Sequence, residues 1–153
     1  MGLDMYLLRK VYLSSWRNTN LQLSLTQGDV KIPINPKKVT SLLEEVGYWR
    51  KANAIHRWFV NNVQNGVDDC GEYYVTDNNL LDLRDLCSKV LEEPHLAKDL
   101  LPTQSGFFFG ATEYDDGYFD DLKQTIEICQ QALDLLESDR QTQISTFYYN
   151  SSW

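Results

Sequence analysis

The segment LDMYLLRKVYL, residues 3–13, largely alternates apolar and polar positions. A side-chain period of two is that of a β-strand with one face buried. The segment therefore predicts a strand that turns one side to a hydrophobic core and the other side, which includes Asp4, away from it. The apolar side consists of Leu3, Met5, Leu7, Val11 and Leu13.

The alternation returns in residues 21–34, on either side of the turn sequence TQGD at residues 26–29. This pattern predicts a β-hairpin. Pro33 restricts its second arm to an edge or to the end of the strand, because proline cannot donate to a ladder. Two more strands are predicted at residues 72–75 and at residues 144–153, where β-branched and aromatic residues dominate.

Four other segments have the apolar spacing of an α-helix, together with start and stop signals. They are a helix from the Asn35-Pro36 start to Gly47, one over residues 49–64, one capped by Thr76 or Asp77 that ends before Pro94, and one whose apolar stripe runs from Phe119 to Leu136. Residues 94–117, rich in glycine, proline and aromatics, are expected to be irregular.

Together these segments predict one α+β domain over residues 1–153. The N-terminal strand, the hairpin, the short middle strand and the C-terminal strand would form one antiparallel sheet, with about four helices packed on one face. A chain of 153 residues buries enough surface to fold without disulfide or metal staples. The three cysteines, Cys70, Cys87 and Cys129, are odd in number and fit reduced thiols.

The chain is acidic, with 22 Asp and Glu against 14 Lys and Arg, a net charge of −8 and a pI near 4.6. This charge argues against direct nucleic-acid binding, which needs a basic surface. An acidic surface can instead imitate a phosphate backbone, although it also keeps many small proteins in solution. We find no secretory leader and no apolar run of membrane-spanning length. We therefore expect a cytoplasmic protein without membrane association.

The stretch GYWRKANAIHRWFVNN, residues 47–62, sets polar groups beside a buried helix face. On the predicted helix Arg50, Asn53 and Arg57 are spaced i, i+3 and i+7, so they form one cationic, amide-bearing strip with His56 at its edge. The later segment LPTQSGFFFG, residues 101–110, places hydrogen-bonding groups beside three aromatics. Such a loop can hold a planar ligand, or its phenylalanines can enter the core as a short strand.

Two reactive side chains fall in this region. His56 is either an imidazole with one satisfied hydrogen bond or a general base. Cys70 could act with it as a nucleophile, with Asp69 as the orienting acid, but neighbouring aspartates oppose a thiolate and favour an inert Cys70.

The acidic run at residues 113–121 does not match a calcium-binding loop. Tested against the EF-hand pattern, the run fails because Lys123 stands where a glutamate is needed. We assign the run to helix capping and solvation. We therefore expect no metal and no cofactor.

Five segments of the sequence carry a family resemblance. They are MGLDMYL at residues 1–7, GYWRKANAIHRWFVNNVQNGVDDCGEYYV at 47–75, LLPTQSGFFFG at 100–110, EYDDGYFDDLKQTIEI at 113–128 and FYYNSSW at 147–153. Together they resemble a family of small uncharacterised proteins encoded by bacteriophages and prophages. The resemblance implies expression inside an infected bacterium and a role outside the virion. It adds weight, without roles, to Asp4, Trp49, Arg50, Asn53, His56, Asp69, Cys70, Gln104, Ser105 and Tyr114.

We therefore expect a small acidic phage accessory protein in the cytoplasm of its bacterial host, which binds a ligand or a host protein without catalysing a reaction. A small anionic or polar ligand, or a host protein, would sit between the second helix and residues 104–109. The predicted binding residues are Trp49, Arg50, Asn53, His56, Arg57, Gln104, Ser105, Phe107 and Tyr114. The alternatives are a small enzyme that uses His56 or Cys70 on a nucleotide-like substrate, and an acidic mimic of nucleic acid. The pattern leaves the oligomeric state open.

Overall fold

The computed structural model describes residues 2–13, 22–140 and 145–153. Its strands are β1 Asp4–Tyr12, β2 Leu25–Gln27, β3 Val30–Ile32, β4 Ser41–Arg50, β5 Tyr73–Val75 and β6 Ser145–Ser152. Its helices are α1 Asn53–Asn62, α2 Asp77–Glu92, α3 Ala97–Leu100 and α4 Asp116–Asp139, with short 3-10 turns at Pro36–Lys38 and Pro94–Leu96. The predicted α+β class is confirmed.

The main sheet has four strands in the order β4-β1-β6-β5, and every neighbouring pair is antiparallel. The predicted N-terminal strand, β1, therefore lies in the middle of the sheet with a partner on each side. Its apolar side is the buried side, as the alternation predicts, and Leu3, Met5 and Leu7 have no exposed surface.

The predicted helix over residues 35–46 is wrong. Asn35 does cap the following turn, because its Oδ1 accepts the Lys37 N–H at 3.1 Å, but the turn is a single 3-10 turn. The chain then enters β4, which pairs with β1 from Tyr12 opposite Ser41 to Asp4 opposite Arg50. Pairing with a long central strand outweighs the helical spacing of a few leucines, since local preference is a weak signal beside tertiary pairing.

The second predicted helix begins too early. Trp49 and Arg50 belong to β4, and α1 starts at Asn53. The break lies at Lys51, whose φ of 60° is in the left-handed region. Arg50 therefore reaches the site from a strand and is not on one helical strip with Asn53 and Arg57.

The hairpin forms where it is predicted, but it is not part of the main sheet. The strands β2 and β3 pair only with each other among the described residues, and Gly28 supplies the positive φ of the turn between them, at 59°. Most of the hairpin's residues are exposed. Leu21, in its first predicted arm, lies outside the described residues.

The two long helices lie against each other and complete the core. Thr76 caps α2 in a reciprocal capping box with Asn79, in agreement with the predicted start. Leu122 and Cys129 of α4 are fully buried, whereas Phe119, Ile126, Leu133 and Leu136 of the predicted stripe are partly buried. The region expected to be irregular also contains the short helix α3.

At Gly47 of β4 the sheet lies close to α4. A Cβ added there would lie 2.4 Å from Cγ2 of Ile128. A contact that short requires the Ile128 side chain, the helix or the strand to move.

We therefore expect Gly47→Ala to lower the free energy of unfolding by about 1–3 kcal/mol, the usual effect of overpacking a core. Urea denaturation would measure the loss. The matched control is Gly117→Ala, where the added Cβ has no neighbour closer than 3.3 Å and lies in the first turn of α4, so we expect a change within about 1 kcal/mol. Equal stability of the two variants would contradict the close packing.

Candidate functional site

Asn53, the first residue of α1, joins the helix to the phenylalanine-containing segment. Its Nδ2 donates to the carbonyl oxygens of Phe109 and Ala111, at 2.9 and 2.8 Å, and its Oδ1 accepts the Gln104 N–H at 3.0 Å. Arg57 donates from Nη1 to the Thr103 carbonyl at 3.2 Å. The structure therefore brings together the helix and the loop that the sequence analysis singles out. The Asn53 amide, however, is already bonded within the protein.

The other predicted binding residues divide between core and surface. Trp49 is buried and donates from Nε1 to Thr125 Oγ1 at 2.9 Å, so its indole supports the core. Tyr114 accepts the Thr103 N–H through its hydroxyl at 3.3 Å. Ser105 is exposed, and Phe107 is 95% exposed at the tip of a turn. None of these four residues lines the cavity described below.

His56 has no exposed surface, and both of its ring nitrogens are occupied. Nδ1 lies 2.7 Å from the Tyr149 hydroxyl, and Nε2 lies 3.0 Å from Asp68 Oδ2. Burial raises the pKa of Tyr149 well above its usual value, so the hydroxyl keeps its proton. It can then donate to Nδ1 while Nε2–H donates to Asp68.

The structure does not bring Cys70 and His56 together as a catalytic pair. Asp69 accepts from the Gly71 N–H and from the Tyr73 hydroxyl, each at 2.9 Å, so it orients Tyr73. The carboxylate on His56 is the neighbouring Asp68. Cys70 is exposed, and no hydrogen bond within the described ranges joins it to His56. In the same ranges no group of three or more His, Cys, Asp or Glu could hold a metal ion.

A cavity of about 270 Å³ opens where the N-terminus of α1 faces the N-terminus of α4. We call it the α1–α4 cavity. Its wall is formed by residues 50–55, by Thr103, Gly110, Ala111 and Glu113, and by Asp115, Gly117, Tyr118, Asp121 and Leu122. Arg50 and Asn53 are the predicted binding residues that reach it.

Lys51 forms the cationic side of the cavity, next to Arg50. Its backbone is fixed in the left-handed conformation, because its N–H donates to the Leu3 carbonyl at 2.8 Å and its own carbonyl accepts the Asn53 N–H at 2.8 Å. Gly110 leaves room for its side chain, since a Cβ there would lie 3.0 Å from Lys51 Cβ. Arg50 lies 3.7 Å from Asp4, but Lys51 has no ion pair with any residue that the structure describes.

The helix end beside Lys51 is uncapped. The N-cap residue of α1 is Ala52, which has no side-chain acceptor. The first N–H groups of a helix have no intrahelical partner and bear partial positive charge. Ala54 and Ile55 line the cavity, and their N–H groups make no hydrogen bond to any residue in the described ranges.

Three carboxylates form the opposite side, and two of them are engaged locally. Asp115 caps α4 by accepting the Tyr118 N–H at 3.1 Å, and Glu113 accepts the Thr112 N–H at 3.0 Å. The side chain of Asp121 makes neither hydrogen bond nor ion pair with another residue that the structure describes. Burial, together with the charges of Asp120 and Asp115, raises the pKa of Asp121 to about 6.

Sequence reasoning misses Lys51 and Asp121, the two charged side chains of this cavity that make neither a hydrogen bond nor an ion pair with a described residue. The left-handed conformation of Lys51 has no local sequence signal, because lysine rarely adopts it. Asp121 lies in an acidic run that fits helix solvation. The sequence feature that points to Lys51 is Gly110, because a glycine allows a side chain to approach the backbone closely.

The fold and the cavity define an α+β protein with a bipolar cavity at the meeting point of two helix N-termini. Comparison of the chain with protein-family models, with curated proteins and with solved structures found no match. Among the described residues no helix has both the length and the apolar character that crossing a membrane requires.

We expect Asn53→Ala to lower the free energy of unfolding by about 2–4 kcal/mol, because three hydrogen bonds of about 1 kcal/mol each are lost. Hydrogen exchange should show faster exchange of the Gln104 amide. Asn62→Ala is the control, since Asn62 donates only to the Trp58 carbonyl of its own helix, at 2.8 Å. A loss no larger than that of the control would mean that Asn53 does not hold the loop.

Asp121→Asn should stabilise the protein at pH 7. The pKa of Asp121 is raised in the folded state. The stability that the protonated carboxyl contributes is therefore fully present below about pH 4 and is lost as pH rises through 6. The asparagine variant avoids this loss, so at pH 7 its free energy of unfolding should exceed that of the wild type by on the order of 1 kcal/mol after discounting for solvent screening. Its advantage should disappear between pH 6 and pH 4 in urea titrations. The exposed Asp82→Asn should show no such trend.

Proposed function

We propose that this chain is a non-enzymatic binding protein that holds a small anionic ligand in the α1–α4 cavity. The observation that carries the proposal is Lys51, an unpaired cation beside an uncapped helix N-terminus in a chain of net charge −8. Helix N-termini with a neighbouring cation favour carboxylate and phosphate groups. The cavity brings these two features together.

The backbone at Lys51 supports the same proposal. Three non-glycine residues of the described ranges, Lys51, Asn65 and Cys70, have positive φ, which asparagine tolerates better than lysine or cysteine. A left-handed lysine costs about 1 kcal/mol that glycine would not. Strained positions of this kind cluster at binding sites, where a side chain is needed in a fixed place. A ligand for that side chain explains why lysine occupies the position.

The size of the cavity favours a metabolite-sized ligand. A volume of about 270 Å³ lies just below the usual range for drug-sized molecules, about 300–1,000 Å³. The ligand therefore has few heavy atoms beyond its charged group. A host protein would have to insert a single side chain or a chain end.

Catalysis by His56 or Cys70 has less support than ligand binding. A substrate reaches neither ring nitrogen of His56 without displacing Tyr149 or Asp68. Cys70 lies outside the α1–α4 cavity. The resemblance to phage-encoded proteins supports a setting in the cytoplasm of an infected bacterium, where such a protein would withdraw a host metabolite or block the host protein that uses it.

The test is Lys51→Gly, which removes the cation and suits the left-handed backbone. We expect the free energy of unfolding to stay within about 1 kcal/mol of the wild type, because relief of strain offsets the flexibility of glycine. Binding of small phosphates and carboxylates, measured by calorimetry, should fall at least tenfold. Mass spectrometry of ligands released from protein purified from bacteria would identify the natural ligand.

Lys123→Gly is the matched control for this experiment. Lys123 lies on the exposed side of α4, paired with Asp120 at 2.7 Å and away from the cavity. We expect it to lose about 1 kcal/mol of stability through helix propensity and to keep its ligand affinity. Unchanged affinity in Lys51→Gly, or absence of any anion binding in the wild type, would overturn the proposed function.

A further inference from the structure

We infer that the ligand of the α1–α4 cavity is a small zwitterion, whose anionic group lies at Lys51 and the α1 N-terminus and whose ammonium group lies at Asp121. This inference rests on the proposed function and deepens it. It assigns a role to the one carboxylate of the cavity that has no partner among the described residues.

The charges of the wall are divided between its two sides. Arg50 and Lys51 enter from the junction of β4 and α1, whereas Asp115 and Asp121 enter from the start of α4 and Glu113 from the loop before it. Two cations against three carboxylates leave the cavity nearly neutral but strongly bipolar. A purely anionic ligand would bring its charge close to the carboxylates, whereas a zwitterion places each charge opposite its complement.

Asp121 is the carboxylate that is free to accept the ammonium group. Asp115 and Glu113 already accept backbone N–H groups. Asp121 is partly withdrawn from water and is repelled by Asp120 and Asp115, which disfavours its ionised form. An ammonium group beside it would relieve both effects and supply the missing hydrogen bond.

Proton linkage follows from the same geometry. The groups that act on Asp121 are Asp120 and Asp115 of α4 and its cap, and the other charged groups of the cavity are Glu113, Arg50 and Lys51. A bound ammonium group favours ionised Asp121, so binding should release a proton near pH 6. Affinity for a zwitterion should therefore weaken as pH falls from 7.5 to 5.

The experiment compares ligands that differ only in the ammonium group. Glycine, β-alanine, 4-aminobutyrate and 6-aminohexanoate would be titrated beside acetate, propionate, butyrate and hexanoate, and phosphoethanolamine beside ethyl phosphate. We expect at least one amino compound to bind ten times more tightly than its partner at pH 7.5. Calorimetry in buffers of different ionisation enthalpy should show proton release near pH 6.

Asp121→Asn is the decisive variant, because it is isosteric and is expected to fold with undiminished stability. It should reduce the preference for the amino compound to less than threefold, abolish proton release, and leave affinity for the matched carboxylate or phosphate equal or greater. Asp134→Asn makes the same charge change further along α4, outside the cavity, and should keep the preference.

The outcomes separate this inference from the proposed function. If the simple carboxylates and ethyl phosphate bind as tightly as the amino compounds, the cavity is an anion site and the zwitterion inference is wrong. If the preference survives in Asp121→Asn, Asp121 is not the ammonium partner and the inference is again wrong. If none of the compounds binds to the wild type, both the inference and the anion site fail.

Discussion

The backbone of Leu3, just before the central strand, joins two parts of the site, the phenylalanine segment and Lys51. Its N–H donates to the Phe108 carbonyl at 3.0 Å, and its carbonyl accepts the Lys51 N–H at 2.8 Å. Its side chain has no exposed surface, so the position of this peptide is fixed by the core. The phenylalanine segment and the left-handed lysine are therefore held by one residue. The burial and pairing that stabilise β1 are also what place the α1–α4 cavity.

The sequence predicts the elements whose local pattern agrees with their packing. The alternation in β1 and the Thr76 cap of α2 are examples, since each signal depends on residues close together in the chain. The helix prediction for residues 41–50 is wrong because Leu42, Leu43 and Val46 have helical spacing, whereas β1 requires a partner strand. That partner is chosen by contacts about forty residues away, which no local window contains.

Part of the cavity wall could likewise be predicted from local sequence. Arg50 and Asn53 attract attention as polar groups beside apolar ones, and both line the wall. Lys51 matters because of its backbone conformation, and Asp121 because of the carboxylates and burial that surround it in three dimensions. Neither property can be deduced from residue type or spacing. Both Lys51 and Asp121 look like ordinary surface charges in the sequence.

Three local costs coincide at the α1–α4 cavity: a left-handed lysine, a helix without a cap, and a carboxylate that resists ionisation. The two long helices, by contrast, are capped, α2 by its capping box and α4 by Asp115. Local costs that gather at one place are typical of functional sites.

The group formed by buried His56 and Tyr149 and partly buried Asp68 differs from the cavity, although its composition resembles catalytic machinery. Each of its hydrogen bonds is satisfied within the protein, and Trp153 adds a further donor to Asp68 at 3.1 Å. The His56 ring packs edge-on against Phe109, whose carbonyl receives the Asn53 amide. A satisfied polar network of this kind rigidifies its surroundings. Here it holds Phe109, the residue before Gly110 of the cavity wall, in place against the His56 ring.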